Sequence, residues 1–384
     1  MRKIRVGFFG TRGVPASYSG FETFYDKLLK KLPSDQFEVY VFNRMNYIQY
    51  PFNYYRNARI INLPTIPQKH LDTISHTFFS LIYSFSKGLE LDIALICNVG
   101  NSSLLPLFRL LGMKTVLNVD GQDWRREKWE KFASLYLRLS EKMASLFADV
   151  IVADSLDVKR YYMQNYKVEE SRVVYIPYGG ITEDDIIISD IFGDDRNFLK
   201  KFGLRKNKYF LFVGRLVPEN SPHTLISAFR KAKSVNQKLE DFQVAIVGDA
   251  PYSEKYKKFL KEVAGQDNSV IFTGYVFSSG YIKLSMNAFC FVLCAQVGGT
   301  HPVLVEQMSL GNFILSYDNP SNREVLGDCG IFFRTEDELA GILAHLPGNE
   351  IENMKKKAKQ RAQEFYSWDK ISKDYAELFI KIMG

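Results

Sequence analysis

The chain has 384 residues, of which 46% are hydrophobic and 24% charged, and it carries a formal net charge of +7. That length exceeds one average core and predicts two domains of ordinary globular composition. No apolar run reaches the roughly 18 residues that span a bilayer, and Cys97, Cys290, Cys294 and Cys329 lack the paired spacing of a zinc site, which excludes both readings.

The opening MRKIRVGFFG runs straight into a strand, so no signal peptide is expected, and scattered thiols in apolar runs suit a reducing cytoplasm. The predicted order begins with a strand at 4–9, a glycine-bearing loop, and a helix whose Phe21, Phe24, Tyr25, Leu28, Leu29 and Leu32 fall at helical spacing. Strands follow at 37–42 and 58–63, a helix at 71–87, and strands at 92–97 and 114–119. A long helix at 128–147 and strands at 149–153 and 173–180 close the first half. Strands this apolar belong in a parallel sheet covered by helices. The acidic ITEDDIIISDIFGDD reads as a linker. Alternation then restarts with strands at 209–214, 242–248, 269–274, 288–294 and 313–317, and with helices at 224–233, 252–263 and from Pro302. Two such modules predict two Rossmann-like domains with a ligand cleft between them.

The charge is uneven. Residues 1–178 hold 24 Lys and Arg against 17 Asp and Glu, and the remainder 26 against 26. A basic half fits an acidic partner such as phosphate or anionic lipid. Nucleic acid is not expected, because the charge is spread without aromatic interleaving. The glycines after the first strand, Gly10, Gly13 and Gly20, do not make the G-x-G-x-x-G fingerprint, which argues against a nicotinamide-dependent oxidoreductase. What remains is a Ser19-Gly20 pair at a helix N-terminus, suited to an anion, with Arg12 and Tyr18 beside it. Gly214 and Arg215 end a strand where a diphosphate is accommodated, with Asn220 just after and His223 as a helix-start residue. Gly298, Gly299, Thr300 and His301 open another helix, with Glu306 one turn in as a partner for a ribose diol. Asp120 ends a strand before a loop rich in Asp123, Trp124, Arg125, Arg126 and Lys128, a candidate sugar or phosphate site, and Asp154 ends the next strand in the same way.

Together these pieces resemble retaining glycosyltransferases of family 4, which have the GT-B fold. The resembling features are Ser19-Gly20-Phe21-Glu22, Gly214-Arg215, a helix start at Glu306, and YSWDKISKDY at 366–375. The opening GTRGVPASYSGFETF, KHLDTISHT at 69–77 and NVDGQDWRREKW at 118–129 are similar to a bacterial subgroup that includes polysaccharide rhamnosyltransferases. The resemblance implies an acceptor-binding domain at 1–180, a nucleotide-sugar domain at 195–365, and a terminal helix at 366–384 packing back on the first. It implies transfer with retention from a nucleotide-diphosphate sugar, dTDP-L-rhamnose favoured, to a lipid-diphosphate-linked saccharide, with no metal or other cofactor. The donor residues implied are Gly20, Gly214, Arg215, Asn220, Gly299, Thr300, His301 and Glu306. Acceptor residues are Arg12, Tyr18, Lys69, His70, Asp123, Trp124 and Arg126, and Asp120, Asp154 and Arg215 act in catalysis. Two departures stand out: Gly298 occupies the place of the family's first glutamate, and RLVPENSPH lacks the lysine that often assists the arginine. Alternatives are another donor such as UDP-glucose, or a nucleotide-sugar epimerase. A peripheral place at the inner membrane face is expected from the basic half, the apolar residues 78–85, and Lys27, Lys30 and Lys31.

Overall fold

The computed structural model describes residues 2–16, 20–48, 51–68, 71–119, 131–191, 195–296 and 300–384. The chain divides into two compact units, Met1–Tyr178 with Trp368–Gly384, and Gly179–Ser367.

In chain order the first unit contains β1 (Ile4–Phe9), α1 (Gly20–Lys31), β2 (Phe37–Arg44), β3 (Tyr54–Tyr55), β4 (Ala58–Leu63), α2 (Asp72–Ser86) and β5 (Ile93–Cys97). It continues with α3 (Leu105–Leu110), β6 (Lys114–Val119), α4 (Lys131–Phe147), β7 (Val150–Ala153), α5 (Leu156–Asn165) and β8 (Val173–Tyr175). The sheet order is β3-β4-β2-β1-β5-β6-β7-β8, parallel except where β3 pairs with β4. Val6 faces Val39 on one side and Ile93 on the other, and Leu95 faces Val116. Side chains alternate across the pleat, which is why these strands are apolar throughout. Val6, Phe8, Ile93 and Leu95 enter one layer with Phe24 and Leu28 of α1, while Phe9, Ala94 and Ile96 enter the other with residues of α2 to α5.

The second unit comprises α6 (Glu183–Ile191), α7 (Asp195–Lys200), β9 (Tyr209–Val213), α8 (Pro222–Val235), β10 (Gln243–Val247), α9 (Glu254–Ala264), β11 (Val270–Gly274) and α10 (Ser278–Met286). Then come β12 (Cys290–Leu293), α11 (Pro302–Ser309), β13 (Ile314–Tyr317), α12 (Pro320–Leu326), β14 (Ile331–Phe333), α13 (Glu336–Ala344) and α14 (Ile351–Phe365). Its sheet runs β11-β10-β9-β12-β13-β14, all parallel, so the order reverses between β9 and β12. Open α/β sheets bind ligands outside the carboxyl ends of the strands at such a reversal.

The acidic stretch expected to be a linker is instead α6, packed on α10. A reciprocal cap starts it: the Asp185 carboxylate accepts from Thr182 N–H at 2.9 Å and Thr182 Oγ1 at 2.6 Å, and Asp185 N–H donates to Thr182 Oγ1 at 3.3 Å. At the other end, the chain changes units between Tyr366, which lies in the second unit's core, and Trp368, which lies in the first unit's. The last helix, α15 (Trp368–Met383), belongs to the first unit and packs on α1, with Phe24 5.1 Å from Tyr375 between ring centroids.

Candidate functional site

A glycine ends or directly follows three neighbouring strands of the second unit, β9, β10 and β11, and backbone crowding explains one of them. Gly248 has φ +127°, and a Cβ there would stand 2.0 Å from the Gly214 carbonyl oxygen. Gly214 N–H donates to Val247 O at 3.0 Å and Gly248 N–H to Gly274 O at 2.9 Å, so the strand ends are laced together before the loops depart. The loop after β9 carries Arg215 and is folded by Asn220, whose Nδ2 donates to Arg215 O at 2.9 Å. Asn220, expected at the donor, therefore has its amide nitrogen committed to shaping the loop. Arg215 is half-buried, and its guanidinium makes no ion pair or hydrogen bond with the described residues. A guanidinium without a carboxylate partner is a ready receptor for an anion.

Across the sheet reversal, the chain leaves β12 through Cys294, Ala295 and Gln296 and re-enters at Thr300 and His301, the residue before α11. Gln296 N–H reaches Glu219 O at 3.3 Å, so the loops after β9 and β12 meet. Asn319, after β13, joins them: its Nδ2 lies 3.4 Å from the carbonyls of both Ala295 and Gln296. Beside it Asp318 is clasped by Arg323 and Arg334, and the Arg323 pairing foremost holds its carboxyl down at about 2. Thr300 is buried and His301 half-buried. His223 is tied to Tyr256 Oη at 2.6 Å from Nδ1, as suits a helix-start residue.

Glu306 lies on α11, and its Oε2 accepts from the Tyr281 hydroxyl at 2.7 Å. Gln307 Nε2 donates to Tyr281 Oη at 3.0 Å and to Ser285 Oγ at 2.7 Å, and Asn312 Nδ2 donates to Gln307 Oε1 at 2.5 Å. Burial first, then the Glu306 charge, pushes the Tyr281 hydroxyl well above its ordinary pKa, so it remains a donor. Sequence reading missed Tyr281 because 25 residues separate it from its partner and nothing local marks it.

In the first unit the opening loop is held by contact. Gly10 (φ +91°) lies where a Cβ would be 2.3 Å from Cys97 O, and Gly13 (φ +111°) where one would be 1.8 Å from Asn43 Oδ1. Asn43 grips Val14 at both its N–H (2.9 Å) and its carbonyl (2.7 Å). These glycines thus serve close packing. Arg12 stacks over the Tyr47 ring at 4.1 Å, and the Tyr47 hydroxyl donates to Asp72 at 3.0 Å. Buried Arg44 pairs with Asp72 at 2.6 Å. His76, fully buried one turn further along α2, is pushed down to about 3 by burial first and by Arg44 second.

Gly20 is the exposed first residue of α1, and Glu22 in its first turn is buried. Asp154 follows β7 and is only 2% exposed. It is among the groups that, after burial and Cys97, raise the Tyr375 hydroxyl, and that hydroxyl accepts from Asn118 Nδ2 at 3.0 Å. The expected site residues Tyr18, Lys69, His70, Asp120, Asp123, Trp124, Arg126 and Gly299 lie outside the described residues. Among the described residues, no three His, Cys, Asp or Glu side chains cluster as metal ligands.

Residues 3–181 match a family described as a domain of unknown function, DUF1972, and residues 194–365 match the family described as Glycosyl transferases group 1. The putative glycosyltransferase YtcC of Bacillus subtilis (strain 168) is 28% identical over 137 residues, which cover 34% of this chain and 33% of that protein. The matched stretch thus spans about a third of that relative's length. Sucrose-phosphate synthase (tll1590) from Thermosynechococcus elongatus superimposes with a TM-score of 0.80 at 16% identity, over 99% of each chain. WaaG, a glycosyltransferase involved in lipopolysaccharide biosynthesis, does so with a TM-score of 0.72 at 15% identity, over 97% of this chain and 99% of its own. At such identities the structural likeness shows the fold, which is the two-domain α/β fold of the GT-B type.

Proposed function

We propose that this chain is a retaining glycosyltransferase that moves a sugar from a nucleotide-diphosphate donor to a hydroxyl of a lipid-diphosphate-linked saccharide. The observation that carries the reading is Arg215: a half-buried cation without a carboxylate partner among the described residues, at the carboxyl end of β9, where the strand order reverses. In the reaction the bond between the anomeric carbon and the diphosphate oxygen breaks and a bond to the acceptor oxygen forms. The charge that develops on the leaving diphosphate falls to Arg215, with Gly214, Thr300, His301 and the N-terminus of α11 around it. Glu306, braced by Tyr281, accepts from a ribose hydroxyl. The departing charge is met by a guanidinium and by backbone amides, so the reading needs no metal.

The acceptor side is assigned to the first unit, with Arg12, Tyr18, Lys69, His70, Asp123, Trp124 and Arg126, while Gly20 remains among the donor residues. Asp120 takes the acceptor hydroxyl's proton. Asp154, enclosed beside Tyr375, is given the part of supporting that strand end. The donor favoured is dTDP-L-rhamnose, on the resemblance of the opening GTRGVPASYSGFETF and NVDGQDWRREKW segments to polysaccharide rhamnosyltransferases. The proposal places the enzyme in the cytoplasm, peripheral to the inner face of the membrane, where a lipid-linked acceptor is reached.

The test is purified full chain with a panel of nucleotide sugars and a synthetic lipid-linked GlcNAc, read by product mass. A deoxyhexose increment is expected. A hexose increment overturns rhamnose in favour of a donor such as UDP-glucose, and donor left intact across the panel overturns the transferase reading.

A further inference from the structure

Two helices of the first unit are inside out. On α2 the buried residues are His76, Thr77, Ser80, Leu81 and Ser84, while Phe78, Ile82 and Phe85 are exposed, Phe85 by 67%. On α4 Leu137, Ser140, Glu141, Ala144 and Ser145 are buried, while Leu135, Leu139 and Leu146 are exposed. A helix of a water-soluble domain places its apolar stripe inward. Here the larger apolar side chains line the outer stripe at helical spacing, 78, 82, 85 and 135, 139, 146, and the inward face is largely small or polar.

On the polar inward face, buried Glu141 accepts through Oε2 from the hydroxyls of Tyr161 at 2.8 Å and Tyr166 at 2.7 Å. Between α2 and α4 lies the turn Val99–Leu104, which packs on both and leads into α3. The Tyr136 hydroxyl donates to Gly100 O at 2.6 Å and fastens α4 to that turn. On α3, Leu107 and Leu110 are exposed, Leu110 by 81%. The three helices cover one face of the sheet, so their outer stripes are all turned away from it. Scattered exposed leucines need no explanation, but outward apolar stripes repeated on three helices over one sheet face do.

Its charges have one sign. Among the described residues of α2, α3 and α4, the carboxylates are Asp72, paired with Arg44, and Glu141, which is buried. The exposed charges of these helices are Arg109, Arg138 and Lys142, flanked by exposed Lys87 and Lys114 and by exposed Glu90, which is paired with Arg5. Lys142 stands in the same stripe as Leu135, Leu139 and Leu146. No helix among the described residues is long and apolar enough to cross a membrane.

We infer that the outer face of α2, α3 and α4 docks on a bilayer surface rich in anionic lipid, the apolar stripes entering the headgroup boundary and the cations meeting lipid phosphates. This deepens the membrane residence proposed above and moves it from the basic face of α1. There Lys31 is already paired with Asp369 of α15 at 2.7 Å.

The test is co-sedimentation of the full chain with phosphatidylcholine vesicles and with vesicles that also contain phosphatidylglycerol. Wild type is expected on the anionic vesicles, with binding that weakens as salt rises. The double variant Ile82→Glu with Leu139→Glu, and Phe85→Glu alone, should each bind at least about tenfold less with unchanged melting curves. Ile187→Glu, at an exposed apolar position on α6 in the other unit, should bind as wild type does. Wild type that stays off the anionic vesicles, or both patch variants binding as wild type does, overturns the inference. So does a wild-type dimer in light scattering that the double variant splits, because the occupant is then a second copy. Turnover is not read, so a failed transferase assay leaves this result standing, and the reverse.

Discussion

The Tyr281 hydroxyl of α10 donates to Glu306 Oε2 of α11 at 2.7 Å, joining a helix with no recognised motif to the residue proposed to hold the donor's ribose. Because Gln307 and Ser285 fix the tyrosine from behind, the carboxylate arrives at the site with one oxygen already oriented. Losing that brace should weaken ground-state binding of the nucleotide more than the chemical step. Tyr281→Phe is expected to raise KM for the nucleotide sugar by roughly three- to tenfold with little change in kcat. Glu306→Gln should show a larger KM effect with the fold intact. Steady-state kinetics with varied donor checks this, and an unchanged KM in Tyr281→Phe would leave the tyrosine a packing residue only.

Arg215 gives the reciprocal case, a charge that costs the fold little to remove. Its guanidinium has no ion-pair or hydrogen-bond partner among the described residues, and the carbonyl that Asn220 bonds is kept in the variant, so Arg215→Ala should fold and melt like wild type. Its loss should fall on the transition state, with kcat lower by about two to three orders of magnitude. Arg215→Lys should recover part of it, because an ammonium supplies charge without the bidentate fork. Single-turnover kinetics beside a thermal melt separates the two effects, and wild-type turnover in Arg215→Ala would remove this residue from the mechanism.

The alternation of strands and helices was legible because a sheet buried on both faces leaves no polar positions along its strands. Ala58–Leu63 and Lys114–Val119 are found at the predicted residues. Asp185 shows a weaker kind of legibility. The T-x-x-D spacing of its cap was present, yet the acidic composition pointed to a linker, and local capping prevailed. Asn220 illustrates why site residues are harder: sequence places it in the correct loop, but only the fold shows its amide turned onto Arg215 O. The exposed stripe of α2 exposes a further limit. Periodicity reveals an apolar face and leaves open which way that face points, so Phe78 and Phe85 fit a core as well as a surface until the structure is seen.

Gly248 should be the costliest glycine to replace in the second unit's site. In Gly248→Ala the new Cβ would press on the Gly214 carbonyl oxygen from 2.0 Å, at a φ of +127° that side chains avoid. That contact separates the ends of β9 and β10, so the variant should lose more than about 2 kcal/mol. Gly274→Ala is the control: its φ is +70° and a Cβ there meets nothing within 4 Å. It should cost roughly 1 kcal/mol, the conformational penalty alone. Urea unfolding of both variants decides, and equal losses would remove the steric account.

His76 should make the first unit sensitive to mild acid. Burial first, then the neighbouring Arg44, holds its imidazole down at about 3, whereas the unfolded chain binds that proton near 6.5. A backbone hydrogen bond with Asn43 opposes this, and so, less, does Asp72, which is already paired with Arg44. Between those two values the unfolded state carries a proton that the native state lacks, so stability falls as pH drops from about 6.5 toward 3. Above 6.5 both states are neutral and the full stability is present. His76→Leu has no such proton, so the wild type should lose ground to it steadily on acidification, by up to about 1.4 kcal/mol per pH unit. Denaturant unfolding of the pair from pH 7.5 to 4.5 measures that difference. A constant gap across the range would mean that the native imidazole takes up its proton as readily as the unfolded one.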